Sequence, residues 1–236
     1  MPNPSDQPST QFAYGLSPEP GAPLNPELLA WRELLMRQEL IGRDELRYSG
    51  NAYGSLSTRL ASTAPRIAQS AQTTSQSTPE ASDGLFIISA SQSDHRDHND
   101  PAAWTTIDTV KLDRFWAEAR GTKPPSRHTM THAAIYAAEP NAQFVFQVRC
   151  PEIWRNAEAL LLPATPERIA AGSAAMIQAV IDLLAANMSR PLVFTAASEP
   201  DQVFALGPTA RDAGGLLISY LARALTLESA IPTEPT

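Results

Sequence analysis

Several short segments of the chain carry side chains able to bind anions, move protons or ligate metals. Gly54-Ser55-Leu56-Ser57-Thr58-Arg59 sets two hydroxyls two residues apart and ends on a guanidinium, and Ile88-Ser89-Ala90-Ser91 repeats the hydroxyl spacing. Ser55, Ser57, Ser89 and Ser91 can hydrogen-bond phosphate oxygens, with Arg59 adding charge. The same hydroxyls equally suit turns and strand ends. Pro125-Ser126-Arg127-His128-Thr129-Met130-Thr131-His132 places two imidazoles four residues apart, one above the other on a helix. That spacing is half a metal site, and no third ligand lies nearby in sequence. His128 alone, with an ordinary imidazole pKa near ~6.5, is either a candidate general base or a histidine at a helix start.

Two further features invite a chemical reading. Asp94-His95-Arg96-Asp97-His98-Asn99-Asp100 gathers potential ligands, but Asp and Asn at this density also make a solvated polar loop. Cys150, the single cysteine, precedes Pro151 after an apolar run and reads as a small core filler, because no histidine can be assigned to activate it. A lone cysteine forms no internal disulfide, and the start of the chain lacks the basic and apolar regions of a secretory signal, so a cytoplasmic setting is expected. A net charge of -7 without any basic run argues against a nucleic-acid surface. No apolar stretch reaches the ~20 residues of a membrane span, so no membrane partner is expected.

These groups need elements to hold them. A chain of 236 residues, 43% hydrophobic, suits one α/β domain. Residues 1–24 are rich in proline and polar side chains and read as a flexible arm, 25–227 as the domain, and 228–236 as a loose tail. Residues 61–83, mostly Ala, Ser, Thr and Gln, read as a mobile loop. Asn25-Pro26 predicts a helix start, with Leu28, Leu29, Trp31, Leu34, Leu35 and Leu40 forming its apolar stripe before Gly42. Further helices are expected over 126–138, 173–186 and 209–226. Strands are expected over 85–89, 143–148 and 192–196, with 203–206 as a hairpin partner. Residues 104–121 suit either element. Strands interleaved with helices imply a central sheet covered on both faces.

In this order the segments resemble the class II aldolase/adducin family, and its fuculose-phosphate aldolases in particular, over roughly residues 26–226. Gly54 to Arg59 resembles the family's Gly-Asn-Ile-Ser-X-Arg loop, and Ile88 to Ser91 stands where the family has Thr-Pro-Ser-Gly, both of them phosphate loops. Pro125 to His132 is similar to Pro-Ser-Ser-Glu and the helix behind it, which sets His128 at the place of the family's proton-transferring glutamate. Val145-Phe146-Gln147-Val148-Arg149-Cys150-Pro151 falls on the strand whose enzymatic form carries His-X-His. Glu199 to Gly207 resembles the His-Glu-Asp-Gly turn that brings the third histidine, and Pro163 to Thr165 and Gly172 to Met176 match as well. The resemblance implies a three-layer α/β/α fold with a central, mostly antiparallel sheet. It also implies a homo-oligomer, since family members commonly form fourfold rings.

Zinc in such enzymes polarises a carbonyl and stabilises the enediolate. Three neutral imidazoles normally hold it. The corresponding positions here are Gln147, Arg149 and Glu199. At ~4 Å and an effective dielectric of ~20, zinc and Arg149 would repel by about 8 kcal/mol, so no metal and no zinc cofactor is expected. Arg149 could instead turn the metal pocket into a site for a carboxylate or phosphate, with Ser55, Ser57, Arg59, Ser89, Ser91, Gln147 and Glu199 as further ligand-binding candidates. Three functions stay open. The first is a degenerate aldolase-like protein binding a small anionic ligand. The second is a metal-dependent lyase or epimerase using His128 and a metal relocated to the His95/His98 loop. The third is a structural or assembly protein, as the adducin head domains are.

Overall fold

The computed structural model describes residues 12–19, 21–60, 86–93, 100–170, 172–187 and 189–230. The sheet contains β1 (Ala13–Ser17), β4 (Ser55–Arg59), β5 (Phe86–Ser89), β6 (Trp104–Lys111), β7 (Trp116–Arg120), β8 (Phe144–Arg149), β9 (Ala164–Thr165), β10 (Leu192–Ala196) and β11 (Gln202–Gly207). Its order is β1-β7-β6-β5-β4-β8-β11-β10-β9, and only the two outermost pairs are parallel. A separate two-stranded ribbon pairs β2 (Gly42–Arg43) with β3 (Ala52–Tyr53). The helices are α1 (Pro26–Arg37), α2 (Thr129–Ala138), α3 (Pro151–Arg155), α4 (Ala174–Ala186) and α5 (Ala210–Ser229). Among the described residues, no helix is long and apolar enough to cross a membrane.

The alternation of side chains along the strands sorts the core into two layers. Phe144, Phe146 and Val148 of β8 pack with Leu28, Leu35, Ile153 and Leu217, which come from α1, α3 and α5. Val145 between them packs on the other face with Met130, Ala134, Ile177 and Val180 of α2 and α4. Period two therefore sends Gln147 and Arg149 toward the α2 side. Ser55 and Ser57 follow the same rule on β4, on either side of Leu56, which belongs to the α1/α5 layer. The three-layer α/β/α arrangement with a mostly antiparallel sheet is as the family resemblance implied.

Local chemistry explains where the helices start. Asn25 Oδ1 accepts from the backbone of Glu27 and Leu28, Ser173 Oγ from Met176, and Thr209 Oγ1 from Asp212, which satisfies first-turn N–H groups. Several boundaries differ from expectation. Helix α1 stops at Arg37 because Glu39 turns left-handed (φ 56°), well before Gly42. Helix α2 begins at Thr129, after a turn in which Thr129 N donates to Ser126 O. Residues 104–121 are two strands, reversed by a 3-10 turn at Leu112–Arg114 and a left-handed Phe115 (φ 51°). The arm expected over 1–24 needs correcting, because Ala13–Ser17 pairs in parallel with β7 and Phe12 is buried in the core. Proline content hid this strand, since none of the prolines falls inside it. Helix α5 runs to Ser229, past the expected boundary at 227. The loop expected over 61–83 and residues 231–236 of the tail lie outside the described residues.

Helices α1 and α5 meet at Gly214, where an added Cβ would lie 2.3 Å from ring carbons of Trp31. Two effects oppose each other in Gly214→Ala. Helix propensity favours alanine by ~1 kcal/mol, and overpacking costs ~1–3 kcal/mol. With a rigid indole as the obstacle the clash dominates, and a net loss of about 1–2 kcal/mol is expected in urea unfolding; a stabilised variant would show that the contact yields freely.

Candidate functional site

Of the three positions expected to stand for metal ligands, Arg149 and Glu199 meet, and Gln147 does not join them. Gln147 and Arg149 share one face of β8, and the β8–β11 register sets Gln202 opposite Arg149, which carries the preceding turn to the same corner. Arg149 Nη2 donates to Glu199 Oε1 at 2.5 Å, and Nη1 donates to the carbonyl of Pro200. The Arg127 guanidinium donates to the same Glu199 oxygen. Arg149 and Glu199 are largely buried, whereas the Arg127 side chain is 59% exposed. Tyr48 covers Arg149, with its ring centroid 5.1 Å from the guanidinium carbon and its hydroxyl donating to Asp201 at 2.9 Å. Two cations thus share one carboxylate. Removing one partner of such a buried pair costs about 3–5 kcal/mol because the other charge is left stranded.

Gln147 belongs to a different network. Ser55 Oγ donates to Gln147 Oε1 at 3.2 Å, so its single proton is used there and it accepts from His132 Nε2 at 3.1 Å. His132 Nδ1 then accepts from Ser57 Oγ at 2.7 Å, and Ser57 in turn accepts from the Tyr136 hydroxyl at 2.8 Å. The chain Tyr136→Ser57→His132→Ser55→Gln147 is buried, directional and neutral throughout. Burial first, then the neighbouring His128, holds the His132 imidazole well below its ordinary pKa.

Beside these networks opens a cleft of about 360 Å³, lined by Arg32, Tyr48, Ser91, Arg127, His128 and Arg149 among others. No carboxylate side chain is among its described lining residues, and the chain's two lysines, Lys111 and Lys123, stand outside it. Arg32 reaches the cleft from α1 and is 4% exposed. Its Nη1 and Nη2 donate to Ser89 Oγ at 3.1 Å and Ser93 Oγ at 3.2 Å, its guanidinium lies 5.0 Å from the Trp104 ring centroid, and its buried Nε has no partner. Burial lowers its pKa to about 10, which leaves it charged at neutral pH. No carboxylate pairs with it among the described residues.

His128 forms part of the cleft wall at the start of α2, 5% exposed. Its Nε2 accepts from Arg127 Nε at 3.1 Å, so the ring proton sits on Nδ1, which is buried without a partner. Burial, then the charges of Arg127 and Arg149, pull its pKa well below the ordinary value. The ring is a neutral donor and a weak base.

The other sequence candidates separate by position. Ser91 lines the cleft, and Ser89 lies behind it holding Arg32. Ser55, Ser57 and Gln147 are committed to the buried chain, and Glu199 to the two arginines. Arg59 points elsewhere: its Nε donates to Ala142 O at 2.8 Å, its Nη2 to Tyr136 O, and its guanidinium stacks 4.6 Å from the Tyr136 ring centroid. It satisfies carbonyls at the C-terminal end of α2, which does not fit a phosphate ligand. Cys150 is buried with its thiol pushed up to about 12, first by burial, as expected of a core filler. Of the Asp94–Asp100 segment, residues 94–99, with His95 and His98, lie outside the described residues, and Asp100 caps the turn at Pro101–Ala103. Arg32 was missed by sequence reasoning. Its signal was its place at i, i+4 and i+7 with Leu28 and Leu35, a cation on the buried stripe of an amphipathic helix.

No protein-family model matches this sequence, and neither does any curated protein. Solved structures do. The sugar-phosphate aldolase from Thermotoga maritima superposes with a TM-score of 0.58 at 13% identity, over 88% of this chain and 95% of that one. An L-fuculose 1-phosphate aldolase gives 0.56 at 13% over 89% and 88%, and YgbL from Escherichia coli 0.55 at 17% over 89% of each chain. At such identities the likeness concerns the fold alone: the chain has the fold of the class II aldolases.

The family resemblance implies zinc at the positions of Gln147, Arg149 and Glu199, and the chemistry of these three side chains does not fit it. Arg149 is a permanent guanidinium already hydrogen-bonded to Glu199, and Gln147 is a carboxamide tied into a neutral chain. Among the described residues no three His, Cys, Asp or Glu side chains gather in a metal-binding group. Protein purified in the presence of zinc is expected to hold no stoichiometric zinc by elemental analysis, with its urea midpoint unmoved by EDTA.

The two histidines also set a pH dependence. Both are held below the pKa of the unfolded chain, ~6.5, so folding is fully favoured above that value. As pH falls toward the folded-state pKa values, the unfolded chain takes up more protons and stability drops by about 1.4 kcal/mol per pH unit for each histidine. Urea unfolding between pH 8 and 5 is expected to show this decline, and His128→Asn to remove one histidine's share of the slope. A slope unchanged by that substitution would mean that His128 titrates normally in the folded chain.

Proposed function

We propose that this protein is a class II aldolase-fold protein that binds a small anionic ligand in its cleft and does not run zinc-dependent aldol chemistry. Arg32 carries the reading. A buried guanidinium is expensive unless it is neutralised, and among the described residues only neutral hydroxyls and an indole face meet it. A carboxylate or phosphate entering the cleft would supply the missing charge, and Arg is suited to planar, bidentate recognition of either. Gly54 and Ser91, from the two segments resembling the family's phosphate loops, line the same space. The net charge of -7 makes the concentration of cations here a local arrangement, not a general property of the surface.

Support for a lyase or epimerase is weaker at each required role. Carbon-carbon cleavage needs an electrophile that strengthens as negative charge develops, together with a proton carrier of matched pKa. Arg149 is already engaged with Glu199, and His128 is a poor base. Titration calorimetry with inorganic phosphate and short carboxylates is expected to detect binding that Arg32→Gln weakens ten- to hundredfold, the size of one charge-assisted contact of about 1.5–3 kcal/mol. The reading fails if no anion binds at millimolar concentration, or if the Arg32→Gln chain, shown to be folded by circular dichroism, binds as tightly as the parent.

A further inference from the structure

Among the described residues the cleft and its wall hold three guanidiniums against the one carboxylate of Glu199, more positive charge than a single carboxylate ligand would balance. Arg32, which no carboxylate among the described residues pairs with, contributes one charge where Ser89 at the end of β5 and Ser93 after it meet α1. The Arg127 and Arg149 pair contributes a second, because two cations share the single carboxylate of Glu199. These charges come from separate elements, each with its own hydrogen-bond partners and none shared between the two groups. The second group is also not closed. Both arginines use the same Glu199 oxygen while the other, Oε2, is buried without a partner, and Arg127 is the exposed member. Beside it, the buried His128 Nδ1–H has no acceptor.

We infer that the cleft takes a ligand with two separated acidic groups, one held by Arg32 and the other by Arg127 in partial exchange with Glu199. This rests on the anion-binding reading above and narrows it. Glu199 occupies, from within the chain, the role that the ligand's second acid would take. A ligand with one acidic group satisfies Arg32 and leaves the Arg127–Glu199–Arg149 cluster as it stands. Two acids on one short scaffold gain the second contact without a second loss of translational freedom, so their affinities compound.

The test is calorimetry on the full chain with inorganic phosphate, propionate, 2-phosphoglycolate and the dicarboxylates from malonate to adipate. At least one two-headed probe is expected to bind tenfold or more tighter than phosphate or propionate. Arg127→Gln should bring that probe to the level of phosphate while phosphate itself is unaffected, and Arg32→Gln should weaken every probe. Glu199→Gln, which removes the internal competitor, should tighten the two-headed probe. Phosphate binding that persists while no two-headed probe exceeds it, or an Arg127→Gln loss equal for phosphate and the two-headed probe, overturns this inference and leaves the simpler reading standing. Absence of binding by every probe overturns both.

Discussion

The contact between Arg149 and Glu199 constrains everything around it. A guanidinium cannot shed its proton to escape burial, so one placed at the inward-facing end of β8 is stabilised when the chain brings an anion beside it. The turn between β10 and β11 does so, and Pro200 contributes its carbonyl to the same side chain. Once the pair is made, the positive charge at that corner is supplied by the protein itself. Neighbouring groups follow suit. His128 and His132 stay neutral beside it, and Gln147 turns its carboxamide into a chain of neutral partners.

Sheet geometry decides which of these groups meet. Alternation on β4 and β8 delivers Ser55, Ser57, Gln147 and Arg149 to one face, and α2 lies over that face with His128 and His132 one turn apart. Helix α1 packs on the opposite face, yet Arg32 reaches Ser89 at the end of β5 and Ser93 beyond it. The cleft therefore draws on both layers. Its cations have unlike surroundings: Arg32 among hydroxyls, Arg149 against a carboxylate and an aromatic ring, Arg127 largely in water.

Much of this was legible in the sequence, because periodicity and caps are local. The strands at 144–149, 192–196 and 202–207 and the caps at Asn25, Ser173 and Thr209 write themselves into adjacent residues. So does the pairing of Gln147 with Arg149, which period two alone puts on one face. What local pattern could not supply was partnership across distance. Ala13–Ser17 looks like a tail until β7 is known to lie beside it. Arg59 looks like an anion ligand until the carbonyls at the end of α2 are seen to claim it. Ser55 and Ser57 look free until His132 takes both hydroxyls. Arg32 broke the apolar stripe of its own helix, a conflict between residue type and position that was visible in the sequence.

The strand order has a kinetic consequence. Strands β4 and β8 are hydrogen-bonded neighbours at the centre of the sheet, although Ser55 and its partner Gln147 are 92 positions apart in the chain. Closing so long a loop is entropically costly before any contact repays it, and folds dominated by such pairings acquire their structure in about milliseconds to seconds. The cleft is sited at that junction. A chain that has formed its helices and its β10–β11 hairpin still lacks the floor under the arginines until this long closure is made.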